Sequence, residues 1–147
     1  MSPHRLDSTG TDSSMLTKPD FERLSHFRYQ LNRFLRDSES FCRRHGLTPL
    51  QYQLLLHLRG FEGREWASVG ELAERLQAKH HGTVMLIDRC EELGLVERRP
   101  DRRDRRRIEV HLLTKGTRLV EAIAELHQPE LRHLQAEFRL PGWPDLS

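Results

Sequence analysis

Apolar residues along this 147-residue chain recur mostly at helical spacing, with one stretch that alternates instead. Phe21, Leu24, Phe27, Leu31, Phe34, Leu35, Phe41 and Cys42 fall on one broad face, which predicts a helix of about six or seven turns ended by Gly46. "TPLQ" (48–51) restarts the chain: Thr48 is an N-cap, Pro49 takes the first helical position, and Gln51 can close a capping box. The helix it opens runs through "YQLLLHLRG" to about Gly60. A short extended piece is expected at Trp66 and Ala67. "SVGE" (68–71) is a second capping box, opening a short helix with Val69, Leu72, Ala73 and Leu76 inward. After a turn over 77–79 a further helix spans 80–93, with Thr83, Leu86, Ile87, Cys90 and Leu93 inside. His81, Met85, Asp88, Arg89 and Glu92 stay outside, and Gly94 closes the helix. "RIEVHLL" alternates Ile108, Val110 and Leu112 against Glu109 and His111, and with "LVERR" it predicts a β-hairpin. Thr114 is read as the N-cap of a last helix. Pro129 is expected to break or kink it, with Leu131, Leu134 and Phe138 inward in the continuation.

The order of these parts defines a fold class: mostly α with a small β-hairpin wing, that is, a winged helix-turn-helix with N- and C-terminal dimerisation helices. Residues 1–16 are polar and poor in apolar anchors, the composition of a disordered tail. The chain therefore divides into a tail (1–18), an N-terminal dimerisation helix (19–46), a DNA-binding lobe (47–114), C-terminal dimerisation helices (115–140) and a tail (141–147). No apolar run approaches the roughly 20 residues of a membrane span, and no signal-type stretch opens the chain, so a cytoplasmic protein is expected. Cys42 and Cys90, the two cysteines, make no disulfide framework.

Net charge is only +2, but it is unevenly placed. "RRPDRRDRRR" (98–107) holds seven arginines and two aspartates, a local charge of +5. It forms the connection of the predicted hairpin. In winged modules the second helix of the helix-turn-helix enters the major groove, and the hairpin lies along the backbone or reaches the minor groove. A planar, weakly hydrated guanidinium suits a narrow minor groove better than an ammonium does. Double-stranded DNA is the expected partner, and Asp101 or Asp104 are expected to hold neighbouring arginines in place.

"GELAERL…GTVMLIDRCEELGLVERRPDRRDRRRIEVHLLTKG" resembles the MarR family of winged helix-turn-helix transcriptional regulators. The resemblance is strongest over about 47–116. It is carried by "DR" in the recognition helix (Asp88, Arg89), "GLVERR" after it, "D-x-R" in the wing (Asp104, Arg106) and "LLTKG" beyond. It implies that Arg106 reaches DNA and is braced by Asp88. Wing contacts would come from Arg102, Arg103, Asp104, Arg105 and Arg106, and base readout from Lys79, His80, His81, Val84, Met85 and Arg89. Gly82 stands where relatives often have Ser or Thr, and close packing against DNA or the preceding helix would motivate it.

The resemblance also implies a homodimer, for which Phe21, Leu24, Val120, Ile123, Leu126, Leu131 and Leu134 are interface candidates. A small-molecule effector pocket is expected from Tyr29, Arg33, Tyr52, Leu56 and Trp66, each of which ordinary packing would explain equally well. A ligand-responsive repressor on a palindromic operator is the reading that follows. A redox-gated regulator would use Cys42, whose neighbours Arg43, Arg44 and His45 favour a thiolate. A winged-helix protein-interaction module without operator binding is the other alternative. No cofactor or metal is expected: His-x3-His and Cys-x2-Cys spacings are missing, and His127, Glu130 and His133 straddle a proline. No GxSxG, GxxxxGK or HExxH motif supports an enzyme.

Overall fold

The computed structural model of the protein describes residues 15–137. Among them five helices and three strands follow in the order α1 (Lys18–Arg44), α2 (Pro49–Arg59), β1 (Trp66–Ser68), α3 (Val69–Leu76), α4 (His80–Glu92), β2 (Val96–Pro100), β3 (Ile108–Leu112) and α5 (Thr114–Glu137). The tail at 141–147, the greater part of the one at 1–18, and Phe138 lie outside the described residues.

Helix starts follow from local chemistry. At α2, Gln51 N–H donates to Thr48 Oγ1 (3.2 Å) and Thr48 N–H to Gln51 Oε1 (3.0 Å). Ser68 and Glu71 repeat the arrangement at α3, at 3.2 and 3.0 Å. Each cap satisfies N–H groups that would otherwise lack partners, worth about 1 kcal/mol. Between α3 and α4 the chain turns through Gln77 at φ 52, and Gly94 takes φ 73 just beyond α4. Thr114 is already helical: Thr117 N–H donates to Leu113 O at 3.0 Å, so the helix start lies a residue earlier than the expected cap.

The wing is a three-stranded antiparallel sheet in the order β1-β3-β2. The extended piece at Trp66 is thus not a separate element but the edge strand, with Trp66 opposite His111 and Ser68 opposite Glu109. Val96 pairs with Leu112, and Arg98 with Val110. Alternation holds with one departure. Val110 is fully buried, whereas Ile108 is 43% exposed, because it stands at the tip end of β3 beyond the cover of the helices.

Leu54, Leu55, Leu58, Leu72, Ile87, Leu95, Val96, Val110, Val120 and Ile123 form one core from α2 to α5. Pro129 does not break α5, which runs unbroken from Thr114 to Glu137. An interior proline costs roughly 3 kcal/mol in an isolated helix. Here Val120, Ile123, His127 and Leu134 are buried on both sides of it, and that burial outweighs the lost hydrogen bond. Val120, Ile123 and Leu134 therefore complete the protomer's own core, in contrast to the exposed Phe21, Leu24, Leu126 and Leu131.

Gly82 sits on α4 with open space around the position of a Cβ, so packing against α3 does not explain it. Gly82→Ala is expected to stabilise the protein by about 0.5–1 kcal/mol through helix propensity, measured as a shift in the urea midpoint at constant slope.

Candidate nucleic-acid interface

Lys79, His80, His81, Met85 and Arg89 are all exposed on the first turns and outer face of α4, with Val84 half-buried. Met85, 58% exposed, is an apolar side chain displayed to solvent rather than to the core. The inner face is fixed by Thr83, Ile87 and Cys90, each fully buried, and the Thr83 hydroxyl donates to Lys79 O at 2.9 Å. Arg89 makes an exposed pair with Glu92 at 3.1 Å. Such a pair is worth well under about 1 kcal/mol, so the guanidinium can be redirected cheaply.

The tie between wing and recognition helix differs from the one implied by the resemblance. Asp88 does not meet Arg106. Its Oδ1 accepts from Arg98 Nη2 at 2.6 Å, while Arg98 Nη1 donates to Glu91 Oε1 at 2.8 Å and Arg98 N–H to Glu91 Oε2 at 3.0 Å. The reason is register. Arg98 lies opposite Val110 on the inward face of the sheet, directed at α4, whereas Arg106 lies in the tip loop and its side chain is 94% exposed. Glu91 escaped sequence reasoning because its partner is seven residues away across a turn. The inward parity of Arg98 in "LVERR", in step with Val96, was the available signal.

The aspartates of the arginine run act on the backbone. Asp101 Oδ1 accepts from Arg103 N–H at 2.8 Å and Asp104 Oδ1 from Arg106 N–H at 3.0 Å. Asp101 N–H donates to Arg107 O and Arg107 N–H to Asp104 O, each at 3.0 Å. These are Asx turns, which shape the loop locally. Asp104 thereby also organises the loop. The loop it shapes displays Arg102, Arg103, Arg105 and Arg106 to solvent.

The residues expected to line an effector pocket do not converge. Tyr52 is buried in the core, Tyr29 is 54% exposed on α1, and Leu56 is 39% exposed on α2. Trp66 belongs to the wing, stacked on His111 with ring centroids 6.1 Å apart. Arg33 alone lines a crevice of about 100 Å³ between α1 and α5, together with Gln30, Phe34, Asp37, Glu130 and Leu134. Beside it His127 is packed among Phe34, Phe41 and Tyr52, with no hydrogen-bond partner for either ring nitrogen among the described residues. Burial lowers the pKa of this imidazole, with the Asp37 charge opposing.

Glu130 behaves oppositely. Burial, then the hydrogen bond and charge of Asp37, push its carboxyl up to about 7. Its folded-state pKa exceeds the ordinary 4.5, so the folded protein holds the proton more tightly than the unfolded chain. Stability from this group is lost as pH rises from about 4.5 to about 7. Glu130→Gln is therefore expected to stabilise the protein at pH 8, by about 1 kcal/mol after screening, and much less at pH 5; denaturation series at the two pH values read the difference.

Cys42 is fully buried, and burial raises its thiol pKa. Arg43 and Arg44 are exposed and do not offset that, so the expected thiolate setting is not present. Cys90 is likewise buried, its thiol pushed up to about 11. Among the described residues no helix is long and apolar enough to cross a membrane.

Four similarities bear on this arrangement. The sequence pattern of the MarR family matches residues 45–107. YsmB of Bacillus subtilis (strain 168), named as an uncharacterized HTH-type transcriptional regulator, is 33% identical over 84 residues, which are 53% of this chain and 58% of YsmB. A MarR family protein from Bacillus stearothermophilus is 27% identical and superposes with a TM-score of 0.70 over 84% of this chain and 85% of that one. A mutant MarR from E. coli, solved in complex with operator DNA, shares the fold at 24% identity and a TM-score of 0.62 over 77% of each chain. Residues 45–107 thus carry the sequence pattern of the MarR family, the chain spans little more than half of the curated relative it matches, and its helices and wing follow the order of a MarR-family winged helix-turn-helix fold.

Proposed function

We propose that the protein is a DNA-binding transcriptional regulator, acting as a homodimer on a palindromic operator, with repression as its output and a small-molecule effector setting its affinity. The observation that carries this reading is the Arg98 tie: it fixes a cationic loop of five exposed arginines, Arg107 included, relative to the exposed face of α4. Phosphate contacts from such a loop would supply affinity and register, and α4 would read bases. The operator complex of E. coli MarR supports the same use of this fold.

The homodimer rests on α1. This helix of 27 residues buries only Cys42 completely. Phe21 and Leu24 on α1 and Leu131 on α5 are 53, 55 and 49% exposed, apolar side chains that a second copy's helices would cover. A two-fold dimer would present two wings and two recognition helices to half-sites about 34 Å apart. An effector would act by binding one spacing of those helices better than the other. The crevice at Arg33, Asp37 and Glu130, between α1 and α5, is where such a preference would be sensed.

Selection of duplexes from a random pool, followed by anisotropy with the selected duplex against a scrambled competitor, tests the reading. A palindromic consensus bound by two chains, resistant to scrambled DNA, is expected. Equal weak binding to both duplexes would overturn operator recognition and turn the search to acidic protein partners. Light scattering that returns a monomer at micromolar concentration would overturn the dimer.

A further inference from the structure

The wing sheet has two faces, and the Arg98 tie uses only one. On the other, Glu97, Arg99, Glu109, His111, Trp66 and Ser68 stand side by side, because the register puts Glu97 and Trp66 on either side of His111, and Arg99 and Ser68 on either side of Glu109. The charges pair within the sheet. His111 Nε2 meets Glu109 Oε1 at 2.9 Å, Arg99 pairs with Glu97, and Arg99 Nη1 lies 3.4 Å from His111 Nδ1.

This plate does not end at the sheet. Arg64, in the loop before β1, has its guanidinium 4.2 Å from the Phe61 ring centroid and 4.2 Å from that of Trp66. It is sandwiched between two aromatic faces, and its Nη2 donates to the Glu71 carboxylate. Glu71 is also the residue that caps α3 through Ser68 N–H. Arg75, in the last turn of α3, covers Phe61 at 4.2 Å. A stack therefore runs Arg75, Phe61, Arg64, Trp66, His111, and Arg99 meets the edge of His111, so contacts are continuous from the first helix of the helix-turn-helix to the outer strand of the wing.

We propose that Arg64 is a positioning residue for the wing: it clamps the edge strand β1, through Trp66 and Glu71, to the start of α3. Its side chain is only 25% exposed, its two faces are covered by rings and its Nη2 is paired with Glu71, so it is not placed to seek a phosphate itself. The two faces of the sheet are then held by different helices, α4 through Arg98 and α3 through Arg64. Burial of Ala67, Val96 and Val110 already seats the base of the sheet on the core, and ties on its two opposite faces then hold the angle at which the rest of the sheet leaves it. The gap behind the wing, about 180 Å³ and lined by Arg64, Trp66, Ser68 and Glu71 on one side and Asp101 and Arg107 on the other, is the space into which an unclamped wing would move. Only arginine fits the position, because a planar guanidinium stacks on both rings while pairing with the carboxylate, which a point-charge ammonium does not.

The consequence for DNA rests on the regulator reading; the clamp itself does not, so the test has two arms. Hydrogen exchange comes first, on wild type, Arg64→Ala and Arg64→Lys. Amides of 96–99 and 108–112 are expected to exchange about 10-fold faster in both variants, with α2 and α5 unchanged. Unchanged wing exchange, or uniform acceleration through the whole protein, overturns the clamp. The second arm is a double-mutant cycle on the selected duplex, pairing Arg64→Ala with alanine at Arg102, Arg103, Arg105 and Arg106. Arg64→Ala is expected to weaken binding about 5–10-fold in the wild-type wing and less than about 2-fold in the wing lacking those four arginines. Equal factors in both backgrounds overturn action through the wing. If wild type prefers no duplex, the regulator reading fails while the exchange arm still decides the clamp.

Discussion

A protein with alanine at Arg102, Arg103, Arg105 and Arg106 is expected to bind duplex DNA about 10²–10³-fold more weakly than wild type at about 0.15 M salt, with a salt slope shallower by about 3–4 units. The four side chains are exposed, and Arg106 has only Asp104 nearby, at 3.5 Å. Nothing in the fold depends on them. The loop's shape comes from Asp101 and Asp104 acting on backbone N–H groups, and the wing's attachment from Arg98. The variant should therefore fold with an unchanged melting temperature, which separates lost contacts from lost structure. Discrimination between the selected and scrambled duplexes should fall less than affinity does, because α4 keeps its exposed face. Anisotropy titrations at several salt concentrations give affinity and slope together. An unchanged slope would mean that the loop does not touch phosphate.

Gly116→Ala is expected to destabilise the protein by about 2–4 kcal/mol, the largest effect on stability of any single change considered. An added Cβ would fall well inside contact distance of the Leu95 carbonyl oxygen, 3.1 Å from its carbonyl carbon and 3.2 Å from Leu112 Cδ2. The close approach is not incidental. Leu113 N–H donates to Leu95 O at 2.9 Å and Lys115 Nζ to Leu93 O at 2.9 Å, so the first turn of α5 is fastened to the end of α4 and the start of β2. A backbone oxygen cannot turn aside as a side-chain end can. Either the hydrogen bond breaks or α5 shifts outward, and Val120 and Ile123 lose their packing with it. Urea unfolding at constant slope measures the loss. A change below about 0.5 kcal/mol would show that α5 moves freely at its start. The contrast with Gly82→Ala, expected to stabilise, is a direct test that the space around each glycine sets the sign.

Why "LLTKG" carries its glycine is thus a tertiary fact, although the motif itself is plain in the chain. Arg98 and Arg106 make the same point. Both stand in one arginine run with similar composition around them. Only the strand register, in which Arg98 keeps step with Val96 and faces α4, decides which of them braces the recognition helix. Pro129 misleads in the other direction: the local cost of a proline is visible, but the burial of His127 and Leu134 that overrides it is not. Cys42 gathers basic neighbours in sequence and none of their influence in space, because successive helical residues point to different sides.

What the sequence determined by itself was everything with a short-range cause. Capping boxes at Thr48 and Ser68, the glycine after α4, the inner face of α4 and the hairpin alternation each depend on groups within a few residues of one another. The basic loop, the order of elements and the family resemblance follow from these. Tertiary structure alone decided which surfaces meet: β1 as the wing's edge strand, Arg98 against Asp88 and Glu91, Arg64 between Phe61 and Trp66, Glu130 beside Asp37, and Gly116 against Leu95. Those pairings join positions distant in the chain or, as for Phe61, Arg64 and Trp66, depend on the path of an irregular loop that no periodicity describes. Hydrophobic periodicity reports which way a side chain faces; it is blind to what stands opposite.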